Sequence, residues 1–376
     1  MSKLVVSSIG PASSVQDGGR FGAQRYGLPP SGAMDRLGLA AANCLAGNAP
    51  FDAAIEIGPF GASFTALEGA IRLALAGAPR SADIAGRPVG WNSSVTLIEG
   101  ATLKLGMALG SFSYLAIEGG IAGEAMFGSL AVNARAGLGS PYPRPLQAGD
   151  ELNVMPASGT AESRIDLPAE IVGPIRVVLG PQDDEFGEGI DLLLNSEWKV
   201  SATSDRMGFR LEGPVIKHLH GHNIVSDGTV NGSIQVPGNG QPIVLMPDRG
   251  TTGGYPKIAT VISADFGRFA QTPAGTSFRF KAVGMAEAQA EAGKLAQLLR
   301  SLRDRLRPIE SFDLNIEALQ DANVAGAAVK AAGDVDRGGE IDHGGIIAHL
   351  PRAKRFAEVT IQVDCFHLAA RLLCEN

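Results

Sequence analysis

Short apolar runs recur along most of the chain, each cut off by glycine, proline or asparagine. AIRLALAG (70–77), SVTLIEG (94–100), ATLKLGM (101–107) and SYLAIEGG (113–120) have the length and side-chain type of strands. A second set follows: IRVVLG (175–180), SIQVP (233–237), PIVLMP (242–247), KIATVIS (257–263) and SFRFKAV (277–283). Helical spacing is scarcer. Met34, Leu37, Leu39, Ala41 and Leu45 give an apolar face to a helix at about Asp35–Leu45, and a helical piece is predicted near Phe186–Asn195. From Met285 to Leu306 β-branched residues vanish, and Leu295, Leu298, Leu299, Leu302 and Leu306 fall at helical spacing until Pro308 stops the run. Near the end, FAEVTIQVDCFHLAARLLC reads as a strand followed by a short helix. The pattern predicts a mainly β protein with minor α. The small, polar, aperiodic stretch 156–170 marks a boundary between two β-rich segments.

Composition narrows this picture without changing it. Hydrophobic residues make up 45% and charged residues 19%, with Gly 49 and Pro 22, which favours tight turns and short strands. A net charge of -7 with no Lys/Arg stripe argues against unaided nucleic-acid binding. Cys44, Cys365 and Cys374 have no metal-type spacing and read as reduced thiols of a cytoplasmic protein. MSKLVVSSIGPASSVQDGG has no long apolar leader, and no run approaches the roughly 18 apolar residues that span a bilayer.

Polar residues concentrate in a few loops. DRGTTGGYPKIATV (248–261) resembles a phosphate loop at first sight. A P-loop lysine opens a helix, however, and the β-branched run after Lys257 predicts a strand. What remains is a glycine turn with Thr251 and Thr252, suited to an anion or a carbonyl oxygen, or to a plain hairpin. QDGGRFGAQRYGLPPSGAMD (16–35) offers Gln16, Asp17, Arg20, Gln24, Arg25, Tyr26, Ser31 and Asp35, with guanidinium groups suited to a carboxylate or phosphate. SDRMGFRLEGP (204–214) adds Asp205 and Arg206, and the stretch 226–261 adds Asp227 and Gln235. His218, His220 and His222 alternate, but no carboxylate or cysteine at ligand spacing joins them, so no metal site is assigned. Neither a Ser-His-Asp order with an elbow motif nor a biotinyl-lysine sequence is present. The two halves echo weakly, with QDGGRFG (16–22) set against SDRMGFR (204–210).

With these loops the chain resembles one family from about Leu4 to Val283. VQDGGRFGAQRYGLPPSGAMD, AANCLAGN, AAIEI, GPQDDEF (180–186), SDRMGFRLEGP, SDGTVNGSIQVPGNGQPIVLM and TTGGYPKIATVISAD are similar to the group of 5-oxoprolinase C subunits. That group is also labelled allophanate hydrolase subunit 2, biotin-dependent carboxyltransferase and kinase-inhibitor antagonist (KipA-like), and is related to the carboxyltransferase region of urea carboxylase. The resemblance implies two tandem cyclophilin-like β-barrel subdomains, at 1–165 and 170–284, and the Leu-spaced run after them predicts a C-terminal helical extension at 285–376. It implies 5-oxoprolinase subunits B and A as partners in an ATP-dependent opening of 5-oxo-L-proline to L-glutamate, with ATP held on or shared with a partner. Relatives of the urea carboxylase type instead transfer a carboxyl group, with biotin on another chain. A third reading, from a different class, is a binding partner that sequesters a kinase-inhibitor-like B subunit.

Departures from the usual pattern are Pro247 and Gly250 in place of alanine and glutamine, Asn223 in place of glutamate and Phe112 in place of arginine. By residue type, Asp205 or Asp227 suits orienting a water or a proton, and Lys257 suits neutralising developing charge. Gln16, Arg20, Ser31, Asp35, Arg206, Gln235, Thr251, Thr252, Gly253, Gly254 and Tyr255 complete the expected substrate-binding set for a small amide or carboxylate.

Overall fold

Alternation along two strands sets the layers of the first half. In Ser2–Ile9, Leu4 and Val6 are buried while Lys3 and Val5 are half-buried, the period-two burial of a strand with one face on a core. Ile71–Gly77 is buried on both faces, and the faces differ in size. Ile71, Leu73 and Leu75 join one core, whereas Ala74 and Ala76 join another.

The structure, a computed structural model, describes residues 1–169 and 171–309, together with the backbone of Val359–Asp364 and His367–Leu372. Ser2–Ile9 lies in a six-stranded antiparallel sheet ordered Glu151–Val154, Ser2–Ile9, Ala62–Leu67, Thr102–Ala108, Arg80–Ile84, Arg87–Pro88. Ile71–Gly77 lies in a seven-stranded sheet ordered Ser14–Gln16, Ala54–Ile57, Ser113–Ile117, Ile71–Gly77, Ser93–Leu97, Ser163–Ile165, Leu306–Pro308. Leu4, Phe64, Leu73, Leu103 and Leu115 fill the space between the two sheets. The small-residue face of the second sheet receives helix α1 (Arg36–Leu45), whose own Ala40, Ala41 and Ala42 are buried, so the helix sits close.

The second half is built on an eight-stranded sheet. Its order is Ser277–Phe278, Trp198–Val200, Gly208–Glu212, Ile243–Leu245, Ser233–Gln235, Lys257–Val261, Ile175–Leu179, Phe280–Ala282. The two outermost strands are separated in the chain by Arg279 alone. Both edges of the sheet therefore meet at one point, and the sheet curls toward a barrel. SFRFKAV, predicted as one strand, is this corner. Phe278 meets Phe280 at 5.1 Å and Phe269 at 5.5 Å between ring centroids. These rings continue, through Trp198, Phe209 and Ile258, into the core beneath α1.

Three more helices complete the described residues: α2 (Gly189–Asn195), α3 (Ser263–Ala270) and α4 (Met285–Arg300). Helix α3 is not predicted from the sequence, because at eight residues SADFGRFA is shorter than the window over which a helical period is read. Buried Phe266 and Phe269 anchor it, and Asp265 is buried against Arg176 at 2.6 Å and Arg268 at 2.8 Å. After α4 the chain returns to pair Leu306–Pro308 with Ser163–Ile165, a strand formed inside the polar stretch 156–170. Residues Met1–Ile309 accordingly form one compact unit. In the tail, His367–Leu372 pairs antiparallel with Val359–Asp364, so a hairpin stands where the sequence predicts a short helix. Backbone pairing between the two strands overrides the local preference there. Among the described residues no helix is long and apolar enough to cross a membrane.

Candidate functional site

Lys257 opens the strand Lys257–Val261, as the β-branched run predicts, and its ammonium points at a carboxylate rather than a free phosphate site. Nζ donates to Asp227 Oδ2 at 2.8 Å, and the side chains are 3% and 53% exposed, respectively. The pair is thus one-sided: a buried cation holds a carboxylate that faces solvent. The Lys257 N–H donates to Gln182 Oε1 at 3.0 Å, and the Gly228 N–H donates to Asp227 Oδ1 at 2.7 Å. The Lys257 hydrogen bond foremost, with the Gly228 N–H behind it, holds the Asp227 carboxyl below its usual range.

The glycine-rich turn is placed directly against this pair. Asp227 and Gly228 form a two-residue ribbon with Gly253 and Thr252. A Cβ at position 253 would lie 2.3 Å from Gln235 Nε2, so any side chain there displaces the Gln235 amide. Gln235 in turn donates to the Tyr255 carbonyl at 3.3 Å. The Thr229 hydroxyl donates to the Gly250 carbonyl at 2.6 Å, its N–H to Thr251 O at 3.1 Å, and the Ile224 N–H to Gly254 O at 2.9 Å. Tyr255 reaches outward to line an open cleft of about 630 Å³ with Arg210, Glu212, Asn239 and Gln241. One segment of chain therefore brings together Asp227, Gln235, Thr251, Thr252, Gly253, Gly254, Tyr255 and Lys257. The arrangement suits a carboxylate that orients a water or an N–H group and whose charge is kept by a buried lysine.

The remaining expected residues gather in a second cluster. Arg206 donates to Glu56, to Asp248 Oδ2 at 3.0 Å and to the Gly32 carbonyl at 2.6 Å. Glu56 is fully buried and also accepts from the Met34 N–H and the Tyr114 hydroxyl, each at 2.7 Å. Burial pushes the Glu56 carboxyl up against the pull of Arg206, and burial with Glu56 nearby raises the Tyr114 phenol well above its ordinary value. The two carboxylates outweigh burial at Arg206 and keep it charged. Asp205 is a turn former, its Oδ1 accepting from Met207 N at 2.8 Å and Gly208 N at 3.2 Å. Asp17 Oδ1 accepts from Gly19 N at 2.7 Å in the same way, which gives the echo between 16–22 and 204–210 a shared local geometry.

Asp35 caps α1, accepting from Leu37 N at 3.0 Å and Gly38 N at 3.1 Å, and its other oxygen takes Gln271 Nε2 at 3.0 Å. Ser31, at φ 54°, donates its N–H to Pro247 O and accepts at Oγ from Asn133. Gln16 is buried and donates to Val132 O at 2.9 Å. Arg20 is buried, donates to the Ala131 carbonyl, and has its pKa lowered by desolvation. Pro247 and Asp248 connect the two clusters, since Gly250–Tyr255 follows them in the chain.

Glu56, Tyr114, Asp248 and Gln182 are central here, and residue type alone does not single them out. The signal for Glu56 is present: a carboxylate inside the apolar run AAIEI is rarely buried without a partner. Phe112 fills core space, and its backbone N–H and carbonyl bond the Gln271 amide at 2.9 and 2.8 Å. Gly250 is exposed, and Asn223 lies in an exposed loop.

The model of the carboxyltransferase domain, subdomain A and B, matches residues 26–282. The 5-oxoprolinase C subunit of Haemophilus influenzae is 36% identical over 300 residues, covering 79% of this chain and 95% of the relative. The protein of the same name from Escherichia coli is 36% identical over 289 residues, covering 76% and 93%. In structure the chain is similar to the Kluyveromyces lactis urea amidolyase, with a TM-score of 0.74 and 26% identity over 82% of this chain and 21% of that one. A match across this span, with relatives so similar over nearly their whole length, shows that the chain belongs to the carboxyltransferase domain, subdomain A and B, family.

Proposed function

We propose that the chain is the C subunit of an ATP-dependent 5-oxoprolinase, converting 5-oxo-L-proline to L-glutamate in the cytoplasm as part of a hetero-oligomer with subunits A and B. The carrying observation is 36% identity across 95% of a relative named as a 5-oxoprolinase C subunit. A putative urea carboxylase from Emericella nidulans, by contrast, is 28% identical and only 24% covered.

The reaction adds the oxygen of water to the lactam carbonyl carbon and breaks the ring C–N bond, and the freed nitrogen takes up a proton. Asp227, exposed and held ionised, orients the water or the ring N–H at the substrate. Lys257 acts through Asp227 as a positioning residue. The Thr251–Gly254 turn and Tyr255 form the surface against which the substrate lies. ATP supplies the driving force. Lys257 is engaged by Asp227 and opens a strand, so it makes no triphosphate cradle, and in this reading ATP is carried by a partner. Residues 1–165 and 170–284 would serve as the two barrel subdomains.

The chain mixed with subunits A and B should hydrolyse ATP only when 5-oxoproline is present. The family's carboxyltransferase name supports a second reading, carboxyl transfer from a biotin borne on another chain. Turnover that needs urea and a biotin carboxylase, and ignores 5-oxoproline, would replace the first reading with the second. Tight binding of the B subunit without turnover in either assay would leave a binding role.

A further inference from the structure

5-Oxoproline carries a carboxylate next to its ring N–H, and most cations around the Asp227–Lys257 pair are already engaged. Lys257 is held by Asp227, Arg206 by Glu56 and Asp248, and buried Arg249 by Asn231 and the Thr229 carbonyl. Buried Arg20 donates to the Ala131 carbonyl. Arg210 differs. Its backbone N–H donates to Ser204 Oγ at 3.0 Å, but its exposed guanidinium bonds no group among the described residues. Strand register places it. Lys257 lies opposite Gln235, Gln235 opposite Ile243, and Ile243 opposite Arg210, so the four share one face of the sheet. Arg210 is thus three strand spacings from Lys257, roughly 14 Å between backbones. The cleft of about 630 Å³ opens on this row, with Arg210, Ile243, Tyr255 and Gln241 in its wall. Gln241 donates through Nε2 to Gly213 O at 3.1 Å, and its Oε1 is shielded from water with no donor among the described residues. Glu212 also lines the cleft, but Lys199 lies directly across from it in the sheet, so beside the cleft two cations stand against one carboxylate.

We propose that Arg210 binds the carboxylate of the substrate, so that the cleft between Arg210 and Tyr255 holds a small cyclic acid with its lactam end toward Asp227. The proposal rests on the oxoprolinase reading for the identity of the acid. A guanidinium pairs a carboxylate through two parallel N–H donors, which fixes the direction of the ligand as well as its position. An arginine side chain and a five-membered ring bearing a carboxylate together cover a span of the order that separates Arg210 from Lys257. Gln241 Oε1 offers an acceptor to the ligand N–H in the same wall. Arg210 thereby selects the acid over the bare lactam and presents the carbonyl carbon to the water that Asp227 orients.

The test measures turnover of the full chain with subunits A and B against 5-oxoproline concentration. Arg210→Met should raise KM by roughly 10- to 100-fold and leave kcat within about threefold, because the lost contact holds the substrate at a distance from the reacting carbon. Arg210→Lys should recover part of the loss, since it keeps the charge without the paired donors. 2-Pyrrolidone, the same lactam without the carboxylate, should inhibit wild type and Arg210→Met at the same concentration. The guanidinium is exposed, and unchanged melting of the variants shows that the fold is intact. An unchanged KM in Arg210→Met overturns the proposal, as does inhibition by 2-pyrrolidone that weakens along with KM, which marks a general loss of the cleft. If the wild-type complex ignores 5-oxoproline, the oxoprolinase reading fails, and calorimetric titration of the full chain with 5-oxoproline and with L-glutamate decides the cleft. Binding of either acid that Arg210→Met abolishes keeps Arg210 as a carboxylate site, and absence of binding removes it.

Discussion

Replacing Arg206 by methionine isolates the energetics of the buried cluster. The side chain fills similar space but removes the cation that lies between Glu56 and Asp248, whose side chains are 0% and 13% exposed. Glu56 then retains only the Met34 N–H and the Tyr114 hydroxyl. Removing one partner of a buried pair costs about 3–5 kcal/mol, because the other charge stays behind without compensation. The loss should appear at pH 8 as a lower urea midpoint at unchanged slope, followed through the fluorescence of buried Trp198.

The pH dependence supplies the sign. The folded-state pKa of Glu56 is raised, so between its unfolded and folded values the folded chain holds the extra proton. That contribution to stability is complete below the unfolded pKa and is lost as pH rises through the folded one. Without Arg206 the folded pKa moves higher still, so the deficit of Arg206→Met should shrink as pH falls from 8 toward 5. Adding Glu56→Gln should recover most of the loss at pH 8, since no buried carboxylate then remains at that position. A midpoint at pH 8 within about 0.5 kcal/mol of wild type would refute the reasoning. So would an equal deficit at both pH values.

Other expectations follow from single contacts. Asp227→Asn should abolish turnover in the reconstituted enzyme and also lower the urea midpoint at neutral pH, because it leaves the buried Lys257 ammonium without its carboxylate. Its pKa is lowered in the fold, so wild type loses that increment of stability as pH falls through the folded value, and the variant should show a weaker acid-side decline. Gly32→Ala places a side chain at φ +83°, with its Cβ 2.8 Å from the Gly19 backbone, and should cost at least about 2 kcal/mol in urea denaturation. Gly213→Ala would set a Cβ 2.5 Å from Trp198 Cε3, so a cost of about 1–3 kcal/mol should accompany a shifted Trp198 emission. Gly250→Gln sets its Cβ 3.1 Å from Thr252 O, a tight contact that the exposed turn must shift to relieve, so melting should fall by about 2–4 °C and a larger change in turnover reports on the added amide.

Local pattern settled much of the secondary structure. IRLALAG, SYLAIEGG and KIATVIS became Ile71–Gly77, Ser113–Ile117 and Lys257–Val261, and the Leu-spaced run became α4 as far as Arg300, with Leu306 in a strand where the spacing predicts helix. These segments carry their own signal, since side chains that fit a pleat or a helical face recur at the period of the element. The β-branched run after Lys257 likewise removed the phosphate-loop reading, because the residues after a lysine decide whether it opens a strand or a helix. Apolar spacing also placed Asp35 at the start of a helix, where the side chain is used as a cap.

Partners distant in sequence lay beyond that signal. Glu56, Arg206 and Asp248 come from three separate segments, and nothing in any one of them specifies the other two. Lys257 meets Asp227 across 30 residues, and Leu306–Pro308 joins Ser163–Ile165 across a still longer gap. Helix α3 exists because Phe266 and Phe269 find the barrel core and Asp265 finds Arg176. The sequence by itself determined the periods, the turns and the residue types available for chemistry. Which carboxylate is buried and which is open was decided only by the tertiary structure, because desolvation and pairing depend on what the rest of the chain brings alongside.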